Sequence, residues 1–460
     1  VPILDAGSAP TIDAGVTNVV TDDARTFGEL GVPEPLVGAL RRMGIEHPLP
    51  IQSASLPDSL GGRDVLGRGR TGSGKTLAFA LPTVAALMRS TIDRQPRRPR
   101  ALILVPTREL ATQVAATFAP LAEAAELRVT TIYGGVGQNP QVAALSRGVD
   151  IVVACPGRLE DLIAQRHCRL DAVEVTVLDE ADHMADLGFL PVVRRLLDAT
   201  PTSGQRLLFS ATLDNGVGLL VNRYMHDPVT RAVDPPVAPV TTMVHHFLHV
   251  SSGDKAELVS TLASGTGRSL LFTRTKHAAK KLAAQLTKSG IPAADLQGNL
   301  SQNARERNLA AFASGEIRVL VATDIAARGI HVDDVELVVH VDPPAEHKAF
   351  LHRSGRTARA GASGTVITVI TPDQQRDARA LARDAGIKPQ ITAVTPHHEL
   401  VEELVGDRAP FVEWTPPPVP APRPPRGPSS NGRANPAPSG RRPRNGRPGR
   451  PARNGRRNGS

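Results

Sequence analysis

A glycine-rich turn, Gly69-x4-Gly74-Lys75-Thr76, joins the apolar run that starts at Asp64 to a helical stretch, and few folds accommodate such a join. In this pattern backbone N–H groups at a helix N-terminus surround phosphates, a lysine reaches the outer ones and a hydroxyl binds magnesium. About a hundred residues later, Asp179-Glu180-Ala181-Asp182 follows the apolar strand Val175 to Leu178. An acid at a strand end holds a metal, and a neighbouring acid orients water. In this order, each after an apolar strand, the two motifs imply a site that binds and hydrolyses a nucleoside triphosphate.

The surrounding pattern alternates short apolar runs with helical segments. The runs are Asp64 to Leu66, Ala101 to Val105, Val129 to Tyr133, Ile151 to Ala154, Val175 to Leu178 and Arg206 to Phe209. Their near-continuous Val, Ile and Leu content fits strands covered on both faces, hence a doubly wound α/β domain with a parallel sheet. Pro228, Pro235, Pro236 and Pro239 then break the pattern, and a second alternation follows at Met243 to Val250, Ser269 to Phe272, Ile317 to Val321, Leu337 to Val341 and Thr365 to Ile370. The second half has no phosphate loop, so a nucleotide is expected between two similar sheets, at strand C-terminal ends. The boundaries read as a loose arm at 1–25, a first domain at 26–232, a linker at 233–240, a second domain at 241–395, an extension at 396–415 and a tail at 416–460.

The net charge of +9 suggests nucleic acid until it is divided along the chain. Eleven arginines lie beyond Trp414 with no acid among them, leaving −2 for residues 1–413. The tail is Pro, Arg, Gly, Asn and Ser, with Arg-Asn-Gly at Arg444, Arg453 and Arg457, and is expected to be a disordered polycation that raises RNA affinity through counterion release. Aromatics are 3% of the chain, so backbone contact is expected to outweigh base stacking. Cys155 and Cys168 are the only cysteines and have no metal-ligand spacing; with no leader-like start or membrane-length apolar run, the reading is a cytoplasmic protein that does not enter a membrane. Nothing like a heptad segment points to an oligomer, so a monomer is expected.

Taken in order, Phe27, Pro48-Leu49-Pro50-Ile51-Gln52, the phosphate loop, Pro106-Thr107-Arg108-Glu109-Leu110, Gly134-Gly135, Pro156-Gly157-Arg158, the Asp179 tetrad and Ser210-Ala211-Thr212 form a series. Phe272, Gln302-x-x-Arg305, Ala322 to Gly329 and His352 to Arg359 continue it. Over roughly residues 27–390 the chain resembles the DEAD-box ATP-dependent RNA helicases of superfamily 2, bacterial type. That resemblance implies two tandem RecA-like domains, ATP and Mg2+ as ligands, RNA as partner and local strand separation.

The resemblance also implies roles for residues. Phe27 stacks on adenine and Gln52 meets its edge, while Thr71, Gly72, Ser73, Gly74, Lys75 and Thr76 cradle the phosphates, Thr76 and Asp179 hold magnesium, and Glu180 aligns the attacking water. Arg356 and Arg359 reach across from the second domain to the γ-phosphate. Arg108, Gly134, Gly135 and Arg158 from the first domain, with Arg274, Arg305 and Thr323 from the second, line an RNA backbone groove. Ser210, Thr212, Asp324, Arg328 and His352 couple the two halves. The tail is a candidate contact for ribosomal or RNA-degradation proteins.

Four positions depart from the family pattern. Cys155 stands where threonine is usual, Arg70 where glutamine is common and Ala358 where glycine is common. His331 replaces the usual aspartate near the ribose, so nucleotide affinity is expected to be weaker or more dependent on pH. Two other readings stay open on sequence alone: an ATP-gated RNA clamp or chaperone scaffold with incidental unwinding, and a DNA-directed helicase of the same superfamily.

Overall fold

Eight parallel strands build the first sheet and seven parallel strands the second, in a computed structural model that describes residues 17–18, 25–69, 73–212, 215–232, 243–327, 335–357, 364–388 and 390–415. In the first lobe the strands are β1 (Thr17–Asn18), β2 (Val65–Arg68), β3 (Ala101–Leu104), β4 (Val129–Ile132), β5 (Ile151–Ala154), β6 (Val175–Asp179), β7 (Gln205–Ser210) and β8 (Val229–Ala232), in spatial order β1-β8-β2-β7-β6-β3-β5-β4. In the second they are β9 (Met243–His249), β10 (Ser269–Phe272), β11 (Ala293–Leu296), β12 (Val319–Ala322), β13 (Leu337–His340), β14 (Gly364–Ile370) and β15 (Gln390–Ala393), in order β11-β12-β10-β13-β14-β9-β15.

Residue alternation along each strand feeds two separate cores. Val65, Ala101, Ile103, Val175, Val177, Leu207 and Phe209 pack on one face of the first sheet, while Leu66, Leu102, Leu104, Val152, Leu178 and Leu208 pack on the other. Both faces are apolar because helices cover both, as continuous Val/Ile/Leu runs require. Gly67 is needed on β2: a Cβ there would sit 2.3 Å from the Phe209 ring, which fills the space above the strand. The second sheet repeats the scheme, with Leu271, Val319, Val339 and Ile367 on one side and Leu270, Leu320, Val338 and Val366 on the other.

Besides β1, three strands were not among the apolar runs of the sequence. β8 and β15 are edge or near-edge strands of mixed polarity, and β11 is the short Ala-Ala-Asp-Leu, so none has the apolar density that marks a central strand. Within the arm at 1–25, Thr17–Asn18 forms the two-residue strand β1 beside β8. The rest of that arm before residue 25, the linker 233–240 and the tail 416–460 lie outside the described residues.

The extension at 396–415 is tied to the second lobe. Helix Glu399–Val405 buries Val401 in the core. Thr266 N–H donates to the Asp407 carbonyl, Val412 N–H to the Gly290 carbonyl, and Trp414 Nε1 to Glu316 Oε1 at 3.1 Å.

Candidate active site

Because every strand in a sheet runs the same way, all the strand-end motifs of a lobe meet on one edge. The phosphate loop follows β2, Thr107-Arg108-Glu109 follows β3, Gly134-Gly135 follows β4, Cys155 to Arg158 follows β5, and Glu180 and Ala211 follow β6 and β7. Crossover connections bring together groups far apart in the chain.

Lys75 opens the helix Lys75–Arg89 and is buried, its Nζ 2.8 Å from the Gly69 carbonyl. Gly74 precedes it at φ +85, a left-handed conformation natural to glycine. Gln52 is buried against this turn: its Nε2 donates to the Gly74 carbonyl at 2.9 Å and its Oε1 accepts Leu49 N–H at 2.9 Å. The side chain read as the adenine-edge contact thus spends both ends of its amide on backbone, one of them in the phosphate loop. Phe27, expected to offer a ring face to a base, is found in the core of the first lobe, 2% exposed. Ser73 Oγ is buried and finds no partner among the described residues, as an anion-cradling hydroxyl would without its anion. Thr76 is half-buried one residue past Lys75, while Arg70, Thr71 and Gly72 lie outside the described residues.

Asp179 ends β6 and Glu180 follows at φ +50, a strained backbone for a residue with a side chain. Burial pushes the Asp179 carboxyl up to about 7, with Lys75 opposing and Glu180 adding to the rise. Burial also disfavours charge on Glu180, yet the His183 hydrogen bond and charge, with Lys75 and Arg356, hold its carboxyl down at about 2. Burial thus opposes charge on both adjacent acids, and only around Glu180 do the neighbouring cations outweigh it. Behind them Asp182 Oδ2 accepts both Thr212 N–H and Thr212 Oγ1 at 3.1 Å, and Ser210 Oγ accepts Asp182 N–H at 3.2 Å. Ser210 and Thr212, read as links between the halves, here brace the acidic tetrad from β7 within one lobe.

The second lobe supplies Arg356. It is buried and shares a cavity with Lys75, Glu180, Asp182, His183, Ala211 and His352. Its backbone N–H donates to the Arg353 carbonyl at 3.2 Å, and the Arg353 guanidinium makes a two-pronged ion pair with Asp324, donates to the Asp342 carbonyl at 2.8 Å and lies 5.1 Å over the Phe272 ring. Asp324 is thus anchored inside its own lobe, and the sequence reading had missed Arg353 although it stands in the same motif. Arg328, His331, Ala358 and Arg359 lie outside the described residues.

The residues assigned to an RNA groove divide in two. Arg274 is exposed, Arg158 donates to the Val136 carbonyl at 3.2 Å, Gly134 lies beside Arg158, and Thr323 is half-buried at the end of β12. Arg108 and Arg305 are instead engaged across the lobes: Arg108 Nη1 with Gln302 Oε1 at 3.3 Å, and Arg305 Nε with Glu109 Oε1 at 2.6 Å. Gly135, at φ +80, leaves room for the Arg108 guanidinium, which a Cβ would meet at 2.0 Å. Cys155 starts the helix Pro156–Ala164 without a side-chain cap, and burial pushes its thiol up to about 12. Glu109, Asp182, His183 and Gln302 also carry no role in the sequence reading; their spacing from Arg108, Glu180 and Arg305 was the available signal.

A phosphate loop, an acid pair on a nearby strand end and an arginine delivered by a second sheet define a nucleoside-triphosphatase of the two-lobed helicase kind. The DEAD/DEAH box helicase family model matches residues 49–219 and the helicase conserved C-terminal domain matches 254–361. ATP-dependent RNA helicase RhlB of Escherichia coli O157:H7 is 38% identical over 376 residues, covering 80% of this chain and 89% of its own. The Zea mays DEAD-box ATP-dependent RNA helicase 3A, chloroplastic, is 41% identical over 83% of this chain, which spans about half (52%) of that longer relative. The structure of S. cerevisiae Dbp5 bound to RNA and ADP BeF3 superposes with a TM-score of 0.71 at 26% identity, over 83% of this chain and 100% of that one. The chain belongs to the DEAD-box ATP-dependent RNA helicases.

Proposed function

We propose that this chain is an RNA-stimulated ATPase that closes two lobes on RNA and locally separates its strands as ATP is hydrolysed. One observation carries the reading: Arg356 of the second lobe lines the same cavity as Lys75 and Glu180 of the first. Neither lobe alone holds the full set, so turnover requires the lobes to meet. That Dbp5 is seen with RNA and ADP BeF3 supports ATP and RNA as the ligands.

In hydrolysis a water oxygen bonds to the γ-phosphorus as the bond to the β-phosphate bridging oxygen breaks. Glu180, held ionised, accepts a hydrogen bond from that water and aligns it. Lys75 and Arg356, with Arg359, offset negative charge on the transferring group. Magnesium, when bound, screens the phosphate oxygens, and Thr76 and Asp179 would hold it. The fit lies in the donor set: Thr76 offers a hydroxyl and Asp179 a carboxylate, the hard oxygen ligands that magnesium takes. Among the described residues no three His, Cys, Asp or Glu side chains converge as a metal site.

RNA is taken to lie along Arg108, Gly134, Gly135, Arg158, Arg274, Arg305 and Thr323, read by its backbone. We divide the chain into lobes at 26–232 and 241–395, assign the arginine-rich tail to non-specific RNA capture and to contacts with ribosomal or RNA-degradation proteins, and place a monomer in the cytoplasm. The unpaired Cys155 and Cys168 support a reducing compartment. Among the described residues no helix is long and apolar enough to cross a membrane. Strand displacement on a short RNA duplex tests the reading: ATP-dependent release is expected from the wild type and none from Glu180→Gln. A protein that binds RNA with ATP yet releases no strand would be a clamp.

A further inference from the structure

His183 stands beside the acid that aligns water, and the proposed reaction gives it no part. Its Nδ1 lies 3.2 Å from Glu180 Oε2, with side-chain exposures of only 5% and 12%. An ionised carboxylate only accepts, so Nδ1 carries the proton whether the ring is neutral or charged. The other ring nitrogen, Nε2, is sealed from solvent and has no partner among the described residues. Packing alone does not account for this arrangement, since an apolar side chain would fill the space without burying an unsatisfied polar atom.

The backbone that carries the ring is held from behind. The His183 backbone N–H donates to Asp182 Oδ1 at 3.1 Å, and the other oxygen of Asp182 is held by Thr212. A braced line therefore runs from the end of β7 through Asp182 and His183 to Glu180. Glu180 needs such support: its backbone sits in the left-handed region, while its long side chain keeps several rotatable bonds.

We propose that His183 is a positioning residue for hydrolysis, fixing the Glu180 carboxylate in the orientation in which it aligns the attacking water. This rests on the ATPase reading above and deepens it. His183 acts through Glu180, so its loss lowers turnover and leaves nucleotide binding nearly unchanged.

The test is RNA-stimulated ATP hydrolysis by the full chain, with kcat and KM measured separately and melting curves recorded for each variant. His183→Ala is expected to lower kcat roughly 10- to 100-fold, with KM for ATP within about threefold of wild type. His183→Asn, which can place an amide N–H near the Nδ1 position, is expected to recover most of the loss. In single-turnover measurements, adding His183→Ala to Glu180→Gln is expected to cost nothing beyond Glu180→Gln alone. Unchanged kcat in His183→Ala, a parallel rise in KM, additive losses in the double variant, or no recovery in a folded His183→Asn would each overturn the assignment. If His183→Ala does not fold, His183→Asn and its combination with Glu180→Gln decide the question. A wild type without RNA-stimulated turnover would instead remove the helicase reading.

Discussion

Arg305 of the second lobe donates from Nε to Glu109 Oε1 of the first at 2.6 Å, with both side chains nearly shut from solvent, at 12% and 10% exposure. Gln302 Nε2 reaches the same Glu109 oxygen at 3.4 Å, and Arg305 Nη2 holds the Ala326 carbonyl at 3.1 Å. Two motifs read separately as RNA contacts thus form a bond between lobes.

Breaking a buried ion pair leaves an uncompensated charge, at a cost of several kcal/mol in the deepest cases and about 1–3 kcal/mol for a pair that retains some access to water. Glu109→Ala is expected to open the lobes, read as lower transfer efficiency between fluorophores placed one on each. The exchange Glu109→Arg with Arg305→Glu should restore part of the closure. Unchanged efficiency in Glu109→Ala would show that the pair contributes nothing to closure.

Gln52 donates to the Gly74 carbonyl. Gln52→Glu removes that donor and places a carboxylate beside the phosphate loop, so affinity for ATP and for GTP should fall together, by roughly tenfold or more. If only the preference for adenine changed while triphosphate affinity held, the side chain would be a base reader and its bond to the loop incidental. Titrations with both nucleotides separate these outcomes.

His245 and His340 flank Phe350, at ring distances of 5.5 and 4.9 Å, on the helix His347–Ser354 that leads to Arg356. Burial, with His246 nearby, holds the His245 imidazole down at about 4, and burial, with Arg353 and His245, holds His340 well below its usual range. Between pH 4 and 6.5 the unfolded chain binds protons that the folded chain refuses, so stability rises with pH across that window. The contribution is complete above pH 6.5 and is lost as pH falls toward 4. Melting temperatures of the second lobe should drop through this range, and His245→Phe should flatten the drop; an identical profile in that variant would remove His245 from the account.

A methyl group at Gly67 would collide with Phe209, which itself packs on Phe79 at 5.4 Å. Gly67→Ala is expected to destabilise the first lobe by about 1–3 kcal/mol, and Phe209→Leu in the same chain to recover part of that loss. Urea denaturation of both variants measures it; additive losses would mean the ring had other room to move.

Much of this architecture was legible in the chain. Ala101 to Val105 is apolar at every position and Val175 to Leu178 at all but Thr176, as a strand covered on both faces requires, and the turn from Gly69 to Thr76 marks its own strand and helix. β8, β11 and β15 were not legible, because short strands of mixed polarity are specified by their neighbours more than by themselves. The roles of single polar residues were equally obscure. Gln52, Asp324, Ser210 and Thr212 stood in recognisable motifs, yet their bonds run to Gly74, Arg353 and Asp182.

By itself the sequence determined two doubly wound sheets and the chemistry collected at their strand ends, since hydrophobic periodicity and loop composition are local properties. Only the tertiary structure decided which of those end groups meet: Arg356 with Glu180 and Lys75, and Arg305 with Glu109. The physical reason is that parallel strands gather their end groups on one edge of each sheet, while the pairs between lobes depend on how the two edges face each other to within a few ångströms, which no spacing along the chain encodes.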